Sequence, residues 1–376
     1  MRIALIAETF SPAVNGVVNS VRQVADQLAA RGHRPVVVAP SGETYRSACG
    51  AEIDVVRVPS MPVPGYRNLA VARPGADLLP ILRDIAPDVV HLASPAVLGW
   101  SAVQAANELG RPSVAVFQTD LAAFARRYHF PMSSRVVWAQ LRRVHNAADV
   151  TLAPSSATAY RLRRHGIERV AMWTRGVDGA LFHPQRRDDA WRAELAGDRL
   201  LVGFVGRLAP EKRVELLEPT ARLDGVRLVV VGDGPRRKQL QRAMPGAAFT
   251  GQLTGAQLGA AMASLDVLVH PGADETFCQV VQEALCAGVP VVATASGGPL
   301  DLVKHGDTGL LWAGEDPDVL AAQVAALRDD RGLLAAMSHR ARPSVVGRTW
   351  ARVTDDLLTH YANVLRASRF EQRRAS

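Results

Sequence analysis

Short β-branched, apolar runs recur along the chain at residues 3–7, 35–39, 53–58, 89–92, 113–117 and 150–153, with helix-spaced apolar patterns between most of them. Such alternation predicts a doubly wound parallel sheet, because joining parallel neighbours takes a crossover long enough to hold a helix. Around Arg175-Gly176-Val177-Asp178 the pattern becomes irregular, and Phe182-His183-Pro184 with Arg186-Arg187-Asp188-Asp189 reads as a linker. The alternation then starts again, at 201–206, 227–231, 247–250, 266–270, 289–293 and 310–312. A chain of 376 residues is long for one open sheet and suits two such domains. We expect an α/β protein with domains at 1–183 and 190–347. The segment 348–376 carries Trp350, Val353, Leu357, Leu358, Tyr361 and Leu365 at helical spacing and by pattern alone suits either domain.

A hydrophobic fraction of 48% is ample for two cores and argues against disorder. Cys49, Cys278 and Cys286 are too few and too scattered for a disulfide framework or a metal cluster, which points to a reducing, cytoplasmic setting. The opening apolar run ends at Glu8, so it reads as a first strand, not a secretory signal. No apolar stretch approaches the ~20 residues of a membrane-spanning helix. The net charge of +8 and pI near 10.0 suit an anionic partner: nucleic acid, a membrane surface or a charged substrate. No zinc spacing, helix-turn-helix or aromatic–basic interleaving supports nucleic acid.

The segment 267–303 concentrates the candidate chemistry. Val267 to His270 reads as a strand, Pro271-Gly272 as a turn, and apolar residues at 277, 280, 281, 284 and 285 mark one face of a helix that Gly288 closes. Glu275 therefore falls at the carboxyl end of a parallel strand, before a helix N-terminus, where ligands bind in open α/β sheets. Glu283 lies two turns further on, off the buried stripe. After the next strand, Gly297-Gly298 opens another loop whose amides suit a phosphate.

Other strand ends carry further candidates. Arg207 follows the strand ending at Gly206, and Lys212 follows Pro210-Glu211; two fixed cations there suit a diphosphate leaving group. Val231-Gly232-Asp233-Gly234 lacks the third glycine of the dinucleotide fingerprint and reads as a tight strand-to-helix turn. Asp316-Pro317-Asp318 reads as a helix start rather than a metal motif. In the first half, Asn15-Gly16 precede a helix with Val17, Val21, Val24 and Leu28 on its buried side, and Gly16 leaves room for an anion. Gln118 and Asp120 end one strand, His91 its neighbour. Arg126, Arg127 and Tyr128 precede an amphipathic segment, 133–146, in which Val137, Leu141 and Val144 share one side while Arg135, Arg142, Arg143 and His145 lie elsewhere.

Taken together, Gly206-Arg207 with Lys212, Val231-Gly232-Asp233-Gly234, and Glu275 followed after seven residues by Glu283 resemble the retaining family-4 glycosyltransferases of GT-B fold. The resemblance runs from Met1 to about Thr359. Glu8-Thr9-Phe10, Asn15-Gly16-Val17-Val18-Asn19-Ser20, Phe117-Gln118-Thr119-Asp120 and Glu275-Thr276-Phe277-Cys278-Gln279 resemble more closely the actinobacterial GDP-mannose-dependent α-mannosyltransferases of glycolipid biosynthesis.

The resemblance implies two Rossmann-like domains facing a cleft, with the closing helix returning to the first. It implies that Arg207 and Lys212 bind the nucleotide diphosphate, that Glu283 holds the ribose and that Glu275 contacts the sugar near its anomeric face. Gly16 closes on the phosphate from the first domain, and amides of Phe277, Cys278, Gln279, Val280 and Gly298 complete the cradle. Asn15, Asp120 and Tyr128 are acceptor-side candidates. Many relatives carry histidine where Gln118 stands; an amide can hydrogen-bond the sugar but cannot be protonated, and Asp120 is a candidate for a compensating contact. The family implies no cofactor and no metal, and a peripheral place on the inner face of the plasma membrane, where an anionic surface and a lipid-linked acceptor would be its partners. The expected reaction is retaining transfer of mannose from GDP-mannose to a phosphatidylinositol mannoside or glycosyl-diacylglycerol. The residues also fit a UDP-sugar-dependent transferase on a lipid or soluble acceptor. A nucleotide-sugar 2-epimerase shares the architecture but should lack the paired glutamates, and a non-catalytic basic binding protein would have no use for the whole set.

Overall fold

A computed structural model describes residues 1–13, 15–62, 70–73, 75–123 and 134–375. The chain divides into two compact units, one of Met1–Arg175 with Trp350–Ser376 and one of Gly176–Thr349. The first unit therefore ends at Arg175, short of the 183 expected from sequence. The intervening residues pack with the second unit, where Val177 and Phe182 join its core and the Arg342 guanidinium donates to the carbonyls of Gly179 and Phe182. The stretch expected to be a linker thus forms the entry to the second unit, with a single 3-10 turn at Pro184–Arg186 and a helix at Asp189–Ala196 capped by Asp188.

In the first unit the strands are β1 (Arg2–Ile6), β2 (Arg34–Ala39), β3 (Tyr45–Arg46), β4 (Glu52–Arg57), β5 (Ser60–Pro62), β6 (Ala70–Ala72), β7 (Val89–Leu92), β8 (Ser113–Val116), β9 (Val150–Ala153) and β10 (Val170–Met172). The main sheet has the order β10-β9-β8-β7-β1-β2-β4-β3, parallel throughout except for the short β3 edge, while β5 and β6 form a separate antiparallel ribbon. The strands β3, β5, β6 and β10, two or three residues each, had no sequence signal of their own. Central strands such as β7 and β8 are buried at every residue, as continuous apolar runs require when both faces are covered.

The first helix, Gly16–Ala30, is capped by the Asn15 side chain, which accepts from the amides of Val17 (3.0 Å) and Val18 (2.9 Å). Its buried face is Val18, Val21, Val24, Ala25 and Leu28; Val17, expected on that face, lies at its edge, partly buried against the same core. His145, expected off the apolar side of the helix Ser134–Ala147, is buried as well, with Nδ1 3.0 Å from the Thr151 hydroxyl.

The closing helix, Trp350–Ala375, belongs to the first unit. Trp350, Val353, Leu357, Tyr361 and Val364 share a core with β1 and the first helix. Polar contacts fix its register: the Trp173 indole donates to the Val353 carbonyl (2.7 Å), and the Tyr361 hydroxyl lies 2.8 Å from His91 Nδ1. His91 sits in β7, so this bond reaches from the helix into the middle of the sheet.

The second unit has β11 (Leu200–Val205), β12 (Val226–Val231), β13 (Ala248–Gly251), β14 (Val267–His270), β15 (Val291–Thr294) and β16 (Gly309–Trp312), all parallel, in the order β13-β12-β11-β14-β15-β16. Counted from the unit's own first strand this is the 3-2-1-4-5-6 order of doubly wound dinucleotide folds. The strand order reverses between β11 and β14, and the crevice outside their carboxyl ends is where such sheets bind ligands. Asp316 caps the helix Pro317–Asp329 through the Asp318 amide (2.9 Å), the helix-start reading made from sequence.

Two consequences for stability follow. Tyr361→Phe leaves His91 Nδ1 buried without its partner and should lower the unfolding free energy by ~1–3 kcal/mol in denaturant titrations. Burial also holds His91 down to about 3 and His145 to about 4, while it pushes Glu8 up to about 7. Below the ordinary histidine value the unfolded chain takes up protons on two imidazoles that the folded chain keeps neutral, and Glu8, protonated when folded, opposes one of them. The balance is about one proton more on the unfolded chain, so stability should fall by ~1 kcal/mol per pH unit on acidification from about 6.5 to 5. A flat or rising profile would contradict this burial pattern.

Candidate active site

The switch point of the second unit brings together the residues singled out at 212 and 275, with Arg207 in the turn that follows β11. β14 delivers His270 at its last position, and the loop that follows returns Glu275 to it: His270 Nε2 lies 3.1 Å from Glu275 Oε1. The ammonium of Lys212, from the 3-10 turn Pro210–Lys212 after β11, donates to the same oxygen at 2.5 Å. Burial alone would raise the Glu275 carboxyl; the ammonium and the imidazole reverse this and hold it well below the usual carboxylate range. Burial likewise works against the Lys212 charge, and the Glu275 carboxylate overcomes it and raises the ammonium above its ordinary value. Glu275 is therefore an anion and Lys212 a cation throughout the physiological range. His270 was not recognised from sequence as a site residue. Its signal was available, a titratable side chain as the last residue of a parallel strand, five positions before a candidate acid.

Two glycines set the height of this loop. A Cβ on Gly297 would lie 2.1 Å from the Glu275 carbonyl oxygen, and one on Gly298 would lie 1.9 Å from that of Phe277. The turn after β15 thus packs backbone to backbone against the Glu275 loop, and the Gly298 amide donates to the Glu275 carbonyl (3.0 Å). That corrects the role expected for Gly298: in this conformation its amide holds the loop rather than waiting for a phosphate. A similar close approach explains Gly232, where a Cβ would meet the Gly206 carbonyl at 1.9 Å; this positions the turn that carries Arg207. The Arg207 guanidinium is partly exposed and pairs with Glu211.

The helix expected from Phe277 begins at Gln279 and ends at Cys286. Phe277 is buried in the core, and Cys278 takes a left-handed backbone (φ 72°) at the helix start, with its thiol pushed up by burial. Gln279 and Val280 form the first turn of this helix, and the Gln279 side chain donates to the Gly176 carbonyl (2.9 Å). Glu283 is partly exposed on the same helix. Ligand atoms of His270, Glu275 and Cys278 lie within 4.8 Å of one another, a donor set that would suit a divalent cation, but the Lys212 ammonium already sits on the carboxylate.

In the first unit the order also reverses between β1 and β7, and polar groups gather there. Glu8, after β1, accepts the amides of Ala96 (2.7 Å) and Leu98 (2.9 Å) in the loop beyond β7. Gln118, after β8, is buried; its Nε2 donates to the Ala93 carbonyl (2.5 Å) and its Oε1 accepts from Arg175. Asp120 is spent on its own unit, one oxygen on the Ala123 amide (3.0 Å) and the other on Arg161 (2.6 Å), which leaves it a structural rather than an acceptor-side part. The Asn15 side-chain oxygen is likewise committed to its helix cap. Tyr128, with Arg126 and Arg127, lies outside the described residues. Arg135, Arg142 and Arg143 are exposed on the helix Ser134–Ala147, and Arg143 stacks on Trp100 at 3.8 Å.

Two doubly wound units, one presenting an ion-paired acid, a second acid on the following helix and two cations at its switch point, define a glycosyltransferase of GT-B architecture. Two family models match the chain, Glycosyltransferase Family 4 over residues 14–180 and glycosyl transferases group 1 over residues 185–343. A GDP-mannose-dependent alpha-mannosyltransferase of Mycolicibacterium smegmatis is 48% identical, covering 97% of this chain and 98% of that protein. One from Corynebacterium glutamicum is 43% identical over 98% of this chain and 90% of its own length. Among solved structures, the sucrose-phosphate synthase of Thermosynechococcus elongatus shares the fold with a TM-score of 0.82 at 20% identity, covering 97% of this chain and 99% of that one. The chain belongs to the family-4 glycosyltransferases.

The glycine contacts give a test of how the acid is held. Gly298→Ala must push the loop at Phe277 aside, and a displacement of ~1 Å at Glu275 should cost about 10²-fold in turnover. Steady-state kinetics alongside thermal melting would check this; full activity in a folded variant would mean that the turn does not set the position of the acid.

Proposed function

We propose that the chain transfers mannose from GDP-mannose to a lipid-linked acceptor with retention of configuration, the acceptor being of the phosphatidylinositol mannoside or glycosyl-diacylglycerol type. The observation that carries this reading is the Lys212–Glu275–His270 cluster at the β11/β14 switch point, supported by the names of relatives that share nearly half their residues with this chain. Lys212 and His270 both engage Glu275 Oε1, which leaves Oε2 for a sugar hydroxyl. Arg207 and Lys212 then face the diphosphate, and the negative charge that grows on it as the glycosidic bond breaks is met by groups already in place. Glu283 holds the ribose, and the first-turn amides at Gln279 and Val280 receive a phosphate oxygen.

In the step itself the bond from the anomeric carbon to the phosphate oxygen breaks as the acceptor oxygen attacks from the same face. The acceptor proton passes to the departing phosphate oxygen. A covalent route through Glu275 would need a nucleophilic carboxylate; an anion stabilised by an ammonium and an imidazole is a poor one, which favours the direct route. The reaction needs no metal on this reading, because the Lys212 ammonium serves where a Lewis acid otherwise would.

The same proposal places the enzyme on the inner face of the plasma membrane, against an anionic surface. The exposed arginines of the helix Ser134–Ala147 support it, and no described helix is long and apolar enough to cross a bilayer. Vesicles containing phosphatidylglycerol should capture the protein at low salt and neutral phosphatidylcholine vesicles should not.

Lys212→Ala should lower turnover by about 10²–10³-fold while GDP, and not UDP, raises the melting temperature of the wild-type protein. Full mannosyl transfer by that variant would remove the diphosphate assignment, and a shift by UDP alone would replace the sugar donor.

A further inference from the structure

We infer that Arg175 is a positioning residue for the transfer reaction, acting through Gln118: it locks the orientation of that amide and lends it a fixed positive charge. The inference rests on the reading of Gln118 as a group that meets the sugar.

Arg175 is the last residue of the first unit and is 8% exposed. One nitrogen of its guanidinium, Nη2, donates both to the Gly16 carbonyl (2.7 Å) and to Gln118 Oε1. Gln118 Nε2 in turn donates to the Ala93 carbonyl (2.5 Å). Gly16 opens the helix after β1, Ala93 follows β7 and Gln118 follows β8, so one side chain ties together the ends of three adjacent strands at the point where the sheet reverses order. A Cβ on Gly16 would stand 3.4 Å from the other terminal nitrogen of Arg175, which makes this glycine the floor on which the guanidinium rests.

The chemistry of the chain of bonds is directional. A guanidinium only donates and is always charged, so the amide must turn its oxygen to Arg175 and its nitrogen to Ala93. A flipped amide would set N–H against N–H on one side and oxygen against oxygen on the other. A charge-assisted bond to Oε1 also draws electron density from the amide and strengthens its N–H groups as donors. A neutral side chain thereby gains part of the electrostatic character of a cation, beside a helix N-terminus of the same sign. Both effects favour an electron-rich oxygen near Gln118, and they grow as charge develops there in the transition state. Neither requires Arg175 to touch the substrate.

The test is a double-mutant cycle with Arg175→Gln and Gln118→Ala, read as kcat at saturating sugar donor, with calorimetric GDP affinity and melting temperature measured on each variant. Each single change should lower kcat by about 10–100-fold, and the double variant should be no slower than the worse single one, because both remove the same unit. Arg175→Lys, which keeps the charge but not the fork, should recover part of the loss and guards against a misfolded Arg175→Gln. GDP affinity should stay within about threefold of wild type. Multiplicative losses, a kcat loss that only tracks melting temperature, or full activity of Arg175→Gln would each overturn the inference. If the wild-type enzyme turns over a different nucleotide sugar, the proposed function fails, and the same cycle run with that sugar still decides the role of Arg175.

Discussion

A single carboxylate oxygen organises the second unit. Glu275 Oε1 is shared by an ammonium and an imidazole that come from two neighbouring strands, β11 and β14. An ion pair partly withdrawn from water, as this one is with its side chains 24% and 17% exposed, gains most when its geometry is fixed, since desolvation of both charges otherwise offsets their attraction. The surrounding structure supplies that geometry. Phe204 stacks on the His270 ring, the Gly297-Gly298 turn presses the Glu275 loop into register, and the parallel sheet holds the two strand ends side by side. What results is a polar group with one oxygen committed and one available, on a loop held between two strand ends and a packed glycine turn. That is the arrangement a site needs if it is to act on developing charge without reorganising.

The first unit reaches a similar end by other means. Its strand ends are laced by neutral and charged hydrogen bonds: Glu8 to the loop beyond β7, Gln118 to Ala93, and Arg175 to Gln118 and Gly16. The closing helix stiffens the sheet beneath them through Tyr361 and His91. In the sequence His91 is the end of the strand beside the one that carries Gln118. It is a neutral, buried anchor for a helix 270 residues away in the chain. The polar groups of this unit therefore divide into those that hold the sheet and those that shape its mouth, and only burial and partners separate the two.

Much of this was legible in the sequence because the governing signals are local. Parallel strands buried on both faces read as continuous apolar runs, and every expected strand was found within one or two residues of its place. The placement of Glu275 and Lys212 was legible for the same reason, each standing just beyond a strand. The residues that escaped were those whose role depends on a partner far along the chain. Arg175 carries no spacing signal, and His270 only the weak one of a titratable strand end; each becomes meaningful when the fold brings it to Gln118 or Glu275. Asp120 and Asn15 show the opposite case, in which side-chain oxygens near a strand end or helix start are taken up by a salt bridge or a cap. The boundary at Arg175 was misjudged because Pro and charged residues at 184–189 resemble a linker, whereas Val177 and Phe182 are held by the second core.

The central claim is that the free oxygen of Glu275 receives the sugar while Lys212 meets the diphosphate. A crystal structure with intact GDP-mannose tests it most directly. The account predicts a mannose hydroxyl within hydrogen-bonding distance of Glu275 Oε2 and a phosphate oxygen on Lys212 Nζ, with His270 still on Oε1. A nucleotide bound away from the β11/β14 strand ends, or a Glu275 carboxylate turned into the protein with no contact to the sugar, would contradict it.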